Sequence, residues 1–150
     1  MDIKQKAISL ANKYETINPL EIAECMGIQI IKEDLGGIYG FYNKCFRIKQ
    51  IHINHTLPEH LQLFTAGHEL GHAVLHPNTN TPFLRKHTYF SVDRLETEAN
   101  KFAIELIIPD TKLNEYENFT LEQLERVFGY NSELLKLKGE LTGTRKHQLK

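Results

Sequence analysis

The sequence predicts an α+β protein of one domain, in which a small antiparallel sheet packs on a central helix with further helices on its flanks. Three observations support this class. Apolar residues recur at helical spacing near the start of the chain, three short β-prone runs follow between residues 28 and 54, and capped helical patterns occupy most of the rest. A chain of 150 residues suits one domain with a substantial core, so we expect no second domain.

Two helices and then three strands are expected in the first third of the chain. Apolar residues one turn apart, from Ile3 to Tyr14, predict the first helix, and Asn18 followed by Pro19 is typical of an N-cap and a first turn. Gly27 is expected to end the second helix. The runs IQIIKE, IYGFYNKC and QIHIN then alternate with short turn segments, which favours a small antiparallel sheet.

A long apolar helix is predicted after the sheet. The segment from Thr56 to Glu59 has the pattern of a capping box, and Pro77 ends the helical pattern after His76. Residues 61–76 read LQLFTAGHELGHAVLH, in which Glu69 is the only acid and no Lys or Arg occurs. A carboxylate on an apolar helix is costly unless a positive or hydrogen-bonding group compensates it. Glu69 therefore either faces water or belongs to a site.

Helical patterns with start signals also fill the last third of the chain. Asp93 with Glu96 three residues later predicts an N-cap and its capping-box partner, and Thr120 with Gln123 repeats the pattern. Gly129 is expected to break this second helix before a last one begins at Ser132. Residues 78–90 are interpreted as a long loop. We take residues 1–138 as the folded domain and 139–150 as a polar, frayed tail.

Charge and composition exclude several classes of protein. A net charge of −1 with 41% hydrophobic residues gives no bias toward nucleic acid or a membrane surface, and no apolar run reaches membrane-spanning length. The first residues lack the pattern of a signal peptide. Cys25 and Cys45 lie in unlike segments without metal-binding spacing, which indicates a reducing compartment. We expect a cytoplasmic protein; its oligomeric state is not predicted.

The pentapeptide HELGH explains the acid on the apolar helix. Residues four apart on a helix are offset by about 40° and one turn, so His68 and His72 can bind the same zinc ion. Glu69 then lies beside the metal as the base for the attacking water. The pentapeptide alone is moderately specific, and its position in the middle of a bounded apolar helix strengthens it. Gly71 is expected to let another segment approach closely.

A catalytic zinc takes three protein ligands, so a third has to be found. His76 is excluded because it lies about 12 Å along the helix from His68. It is expected instead to support a ligand or to interact with the helix dipole. The helix after Asp93 carries Glu96, Glu98 and Glu105. Glu96 is assigned to capping, and periodicity leaves Glu98 and Glu105 open.

The chain resembles the ImmA/IrrE family of zinc metallopeptidases. The resemblance rests on HELGHAVLH and ETEANKFAIELIIP, and it extends through IHINHTLPEHLQLFTAGHE and LEQLERVFGYNSELLKLK, so that nearly the whole chain is covered. It implies a zincin-like fold of the gluzincin type, with His68, His72 and Glu98 as ligands of one Zn²⁺ and Glu69 as the base. Mn²⁺ and Fe²⁺ are the alternatives for such a ligand set.

The resemblance also implies a substrate and a supporting residue. Family members encoded beside repressors of phages or mobile elements cleave the helix-turn-helix repressor, so the expected partner is a protein, without direct nucleic-acid binding. Gluzincins usually place an Asp four residues after the ligand Glu, where it holds a zinc-bound His. Counted from Glu98, this position is Phe102, so Asn100, Glu105 or a backbone carbonyl has to hold the zinc-bound His instead.

Substrate contacts and rival functions complete the prediction. Candidate donors to the reacting carbonyl are Tyr42, His76, His87 and Tyr89, and the run QIHIN is expected to pair with an extended substrate. One rival is a DNA-binding regulator built on the last two helices, which the neutral charge disfavours. The other is a zinc protein that sequesters the repressor without cutting it, which the presence of Glu69 disfavours.

Overall fold

A computed structural model of the protein describes residues 2–79, 83–85 and 93–139. Within these ranges the chain forms seven α-helices, three strands and a short 3₁₀ helix. In chain order they are α1 (Ile3–Tyr14), α2 (Pro19–Cys25), β1 (Gln29–Glu33), β2 (Gly40–Cys45), β3 (Ile48–Asn54), α3 (Glu59–Leu75), α4 (Arg94–Ile107), α5 (Asp110–Leu113), the 3₁₀ helix (Asn114–Tyr116), α6 (Leu121–Phe128) and α7 (Ser132–Leu135). The predicted α+β class is confirmed, whereas the tail 140–150 lies outside the described residues.

Helix starts follow the local capping signals in most cases. The side chain of Asn18 accepts from the backbone N–H of Leu20, with Pro19 in the first turn of α2. Thr120 and Gln123 form the predicted capping box at the start of α6, and Gly129 ends that helix at φ 81°. These short-range bonds need no tertiary context, which is why the sequence predicts them.

The start of α3 differs from the prediction. No side chain caps α3, and its N-cap residue is Pro58 rather than Thr56. Thr56 instead donates both its N–H and its hydroxyl to the side-chain oxygen of Asn54, at 3.0 and 2.6 Å. This turn ends β3, so the predicted capping box is wrong because Asn54 competes for the same hydroxyl.

The sheet is mixed rather than antiparallel. Its strand order is β1-β3-β2, with β2 antiparallel to β3 and β1 parallel to β3. A two-residue turn joins β2 to β3, whereas the chain between β1 and β2 carries β2 to the far edge and makes β3 return parallel to β1. The run QIHIN in β3 is thus paired on both sides, so the prediction that it pairs with substrate is wrong.

Helix α3 crosses the core behind the sheet. Ile51 and Ile53 of β3 are fully buried, whereas Gln50 and His52 point to the other face. All ten residues of α3 from Phe64 to Ala73 are buried. The HELGH pentapeptide therefore lies in the interior of the protein rather than on its surface.

Two glycines let α4 approach α3 closely. A Cβ at Gly67 would lie 3.0 Å from the Cβ of Ala103, and a Cβ at Gly71 would lie 3.3 Å from the Cα of Ala99. Small residues face each other along this contact, so the helix axes come nearer than larger side chains would allow. The expectation that Gly71 admits another segment agrees with this contact.

Two hydrophobic clusters hold these helices in place. The first joins α1, α2 and the sheet to one side of α3 and α4, through residues such as Ile22, Leu70 and Phe102. The second joins the other side of the pair to α5, α6 and α7, through Phe64 and Leu124 among others. The α3–α4 pair is thus fixed from both sides. Nowhere in the described ranges is a helix both long and apolar enough to cross a membrane.

Candidate metal centre

Two histidines of α3 place their ring nitrogens together in the interior. His68 and His72 are fully buried, and their Nε2 atoms lie 3.1 Å apart. Helical spacing puts both rings on one face, as the sequence predicts. The second element of the centre comes from α4, which faces these rings.

Glu96 is the acid that joins the two histidines. Its Oε2 lies 3.1 Å from Nε2 of His68, and its Oε1 lies 2.9 Å from Nε2 of His72. Donor atoms of the three residues all lie within 4.8 Å of one another, and all three residues are buried. The described residues therefore contain a compact set of two imidazoles and one carboxylate.

This donor set fits a zinc ion. Zn²⁺ bound to two His nitrogens and a carboxylate at ordinary lengths separates the donors by about 3.3 Å in tetrahedral geometry. The separations here are 2.9 to 3.1 Å. The donors thus lie close enough together to surround one common position.

The carboxyl of Glu96 is ionised. Burial opposes ionisation by raising its pKa, but the hydrogen bonds and charges of His68 and His72 outweigh burial and lower the pKa of Glu96 to about 2. A metal ligand has to be deprotonated, so Glu96 is in the form that binding needs.

The structure does not bring Glu98, the predicted third ligand, to the two histidines. Oε1 of Glu98 lies 2.8 Å from Nε2 of His76 instead. Two residues along a helix correspond to a rotation of about 200°, so Glu96 and Glu98 cannot both face His68. Glu96 was assigned to capping, yet Asp93 caps α4 by accepting from the backbone N–H groups of Leu95 and Glu96. This leaves the side chain of Glu96 available.

The assignment of Glu96 also identifies the residue that supports His68. Oδ1 of Asn100 lies 2.7 Å from Nδ1 of His68, and Asn100 is buried. Asn100 lies four residues after Glu96, where gluzincins usually place the supporting Asp. Four residues after Glu98 the chain has Phe102, which cannot accept a hydrogen bond. Glu105, another open alternative, binds Lys101 and Lys138 instead. The pattern in the sequence that could have indicated this arrangement is the spacing of Glu96 and Asn100, four residues apart on one face of α4.

Glu69 is a buried acid whose side chain makes no hydrogen bond within the described residues. It is fully buried, and neither carboxylate oxygen has a hydrogen-bond partner in the described parts of the chain. Burial raises the pKa of Glu69 to about 8, although the nearby His72 acts in the opposite direction. A buried acid that titrates near neutral pH suits proton transfer, since it can hold or release a proton under working conditions.

The four predicted donors to the reacting carbonyl lie in different surroundings. Tyr42 is buried in the first hydrophobic cluster, where burial raises the pKa of its hydroxyl, and no described residue hydrogen-bonds that hydroxyl. Nδ1 of His76 lies 3.0 Å from Nδ1 of His72. Tyr89 and His87 fall outside the described residues. A donor to the reacting carbonyl thus stays a prediction.

Comparisons with known proteins match most of the chain. The sequence model of the IrrE N-terminal-like domain, a peptidase family designated M78, matches residues 23–138. The "Uncharacterized immunity region protein 2" of Bacillus phage phi105 is 45% identical over 139 residues, which cover 91% of this chain and 88% of that protein. The "Metallopeptidase ImmA" of Bacillus subtilis (strain 168) is 37% identical over 136 residues, covering 87% of this chain and 79% of the relative.

Proposed function

Because the chain belongs to the ImmA/IrrE family of metallopeptidases, we propose that it is a zinc-dependent endopeptidase with His68, His72 and Glu96 as its metal ligands. One observation carries this proposal. Three buried donor atoms converge within 4.8 Å of one another, beside the buried carboxyl of Glu69, which has no hydrogen-bond partner among the described residues. Glu96 replaces Glu98 in the ligand set because only Glu96 contacts both histidines.

The protein residues determine how the metal would be held. Nδ1 of His68 carries its proton and donates to Oδ1 of Asn100, which leaves Nε2 free to bind. Nε2 of His72 and the carboxylate of Glu96 complete the set. When bound, zinc supplies a Lewis acid that polarises a carbonyl and makes water more acidic; Mn²⁺ or Fe²⁺ could supply the same chemistry.

Glu69 is proposed as the catalytic base and acid. It accepts a proton from the attacking water at one carboxylate oxygen, and it passes that proton to the amine of the cleaved peptide bond. Neither oxygen of Glu69 is engaged by another described side chain, so both are available for these transfers. Burial keeps bulk water away from the carboxyl, so the proton goes to the substrate rather than to solvent.

The proposed substrate is a helix-turn-helix repressor of a phage or mobile element. Support comes from the relatives, one named as a phage immunity region protein and the other as a metallopeptidase. An extended segment of the substrate would pair with the outer edge of β2, since both edges of β3 are occupied. Among the described residues this outer edge is bridged only between Gly40 and Leu84.

The described part of the chain gives no support to the rival DNA-binding function. The last helix, α7, has only four residues, too few for a recognition helix that spans a major groove. Leu121 and Leu124 of α6 and Leu134 of α7 are buried in the second hydrophobic cluster. These helices therefore support the core.

The test is cleavage of a purified helix-turn-helix repressor of phage type. Both purified proteins are mixed with zinc, and the products are identified by mass spectrometry. We expect cleavage by the wild type, none by Glu69→Gln or Glu96→Gln, and unchanged cleavage by the surface variant Glu117→Gln. A zinc-loaded wild type that binds the repressor and leaves it intact would instead indicate a sequestering protein.

A further inference from the structure

We propose that Glu98 and His76 form a hydrogen-bonded relay that holds His72 in the form that binds metal. The inference rests on the proposed metal centre, which it extends by two positioning residues. Glu98 is thus interpreted not as a ligand but as the end of a chain of contacts that leads from α4 to the ring of His72.

The geometry of the relay is continuous. Oε1 of Glu98 lies 2.8 Å from Nε2 of His76, and Nδ1 of His76 lies 3.0 Å from Nδ1 of His72. His72 is fully buried, His76 is 7% exposed and the side chain of Glu98 is 25% exposed. The relay therefore begins at the surface and ends on the side of the His72 ring that faces away from Glu96.

Only one arrangement of protons satisfies every contact when His72 binds metal. Nε2 of His72 faces the metal position and must carry no proton, so Nδ1 carries it. That N–H donates to Nδ1 of His76, which must accept and is therefore unprotonated. His76 then carries its proton on Nε2 and donates it to the carboxylate of Glu98. The carboxylate, which only accepts, thereby sets the tautomers of both rings.

The fold holds the relay from both helices. His76 directly follows α3, where its backbone N–H donates to the carbonyl of His72 at 2.8 Å. Glu98 stands on α4, the helix that also carries Glu96 and Asn100. Each histidine of the centre thus has its own support from α4, an amide oxygen for His68 and a carboxylate through His76 for His72. Such support fixes a ring and raises its basicity as a ligand.

Without the carboxylate, His76 can place its proton on Nδ1 instead. Two N–H groups would then face each other between His76 and His72, and one ring would have to turn away. We therefore expect Glu98→Ala to weaken zinc binding by roughly 10- to 100-fold, as is usual when a ligand loses its supporting acceptor. Glu98→Gln should retain most of the affinity, because its amide oxygen still accepts from Nε2 of His76.

The experiment measures zinc affinity of the full chain by competition with a chromophoric chelator. His76→Ala should cost about as much as Glu98→Ala, and the double variant should cost no more than His76→Ala alone. Glu117→Ala and His55→Ala, which remove an exposed acid and an exposed imidazole, serve as controls. Far-UV circular dichroism shows that each variant is folded. ¹⁵N NMR of the imidazoles should show His76 protonated at Nε2 in the wild type and not uniformly so in Glu98→Ala.

Three outcomes would overturn the relay in a wild type that binds zinc. Equal loss of zinc in Glu98→Gln and Glu98→Ala would make Glu98 a ligand. Additive losses of zinc affinity in the double variant would show that Glu98 and His76 act independently. Unchanged affinity in Glu98→Ala, with zinc lost in Glu96→Ala, would remove the relay and leave the metal centre intact. A wild type that binds no zinc would instead remove the centre itself and the relay with it.

Discussion

Glu69 and Glu105 are both buried acids in the helical core, yet their surroundings are opposite. Oε1 of Glu105 contacts Nζ of Lys138 at 2.5 Å, and Oε2 of Glu105 contacts Nζ of Lys101 at 3.0 Å. Lys138 is itself buried and also binds Asp110 at 2.8 Å. Both oxygens of Glu69 lack any such partner in the described chain. The comparison separates a buried acid that is paired within the fold from one that is left available for the proposed proton transfer.

The largest expected effect is on activity at Glu69. Glu69→Gln should reduce repressor cleavage by roughly 10²- to 10⁴-fold, because proton transfer is lost. Zinc content should stay unchanged. Thermal stability should stay unchanged or rise, because a buried acid without a hydrogen-bond partner is removed. Cleavage kinetics, metal analysis and thermal unfolding of the same preparation check this. A loss of stability would mean that Glu69 supports the fold as Glu105 does.

The second effect is on stability at Glu105. Glu105→Ala should lower the free energy of unfolding by about 3 to 5 kcal/mol, because Lys138 stays buried without its main partner. Urea denaturation measures the change. Glu122→Ala is the matched control, since its ion pair with Arg126 is 72% exposed on both sides and should contribute about 0 to 1 kcal/mol. Equal losses in the two variants would mean that the buried ion pairs of Glu105 stabilise the fold no more than an exposed pair does.

The pH dependence of stability sharpens the comparison. In the metal-free protein the pKa of Glu69 is raised from 4.5 to about 8, so the folded state binds its proton more tightly than the unfolded state. This contribution to stability is complete below the unfolded pKa and is lost as pH rises through the folded one. The advantage of Glu69→Gln over wild type should therefore grow, to on the order of 3 kcal/mol, as pH rises from 4.5 to about 8. Chemical denaturation of both proteins across this interval measures it, and parallel curves would refute a buried neutral acid.

The smallest expected effect concerns the contact that brings the two helices together. Gly67→Ala places a Cβ 3.0 Å from the Cβ of Ala103 and should destabilise the fold by about 1 to 3 kcal/mol, despite the better helix propensity of alanine. Gly37→Ala is the control, because a Cβ there meets nothing within 4 Å. Urea denaturation gives both values. A neutral Gly67→Ala would mean that α4 can shift without cost.

The elements and the metal motif could be predicted because their signals are local. Asn18 and Thr120 bind backbone groups within three residues, and the pair His68 and His72 follows from the helical repeat alone. The third ligand could not be chosen this way. Whether Glu96 or Glu98 reaches the histidines depends on how α4 is rotated against α3, and the small residues at Gly67 and Gly71 determine that packing.

The errors have the same origin in longer-range structure. The parallel pairing of β1 depends on where the chain carries β2, and no residue within β1 encodes it. The capping assignment of Glu96 followed a correct local pattern, yet the side chain is drawn to two histidines that lie far away in sequence. A local rule therefore fails where the site requires the residue for another purpose.

The mixed sheet has a consequence for the order of folding. Cys45 and Ile48 pair across a two-residue turn, so the β2–β3 hairpin closes at a small cost in chain entropy. Gln29 pairs with Gln50 only after the intervening hairpin has brought β3 into place. We therefore expect β1 to join last and to open first. Its backbone amides should exchange with deuterium faster than those of β3 that bond to β2, although both belong to one sheet.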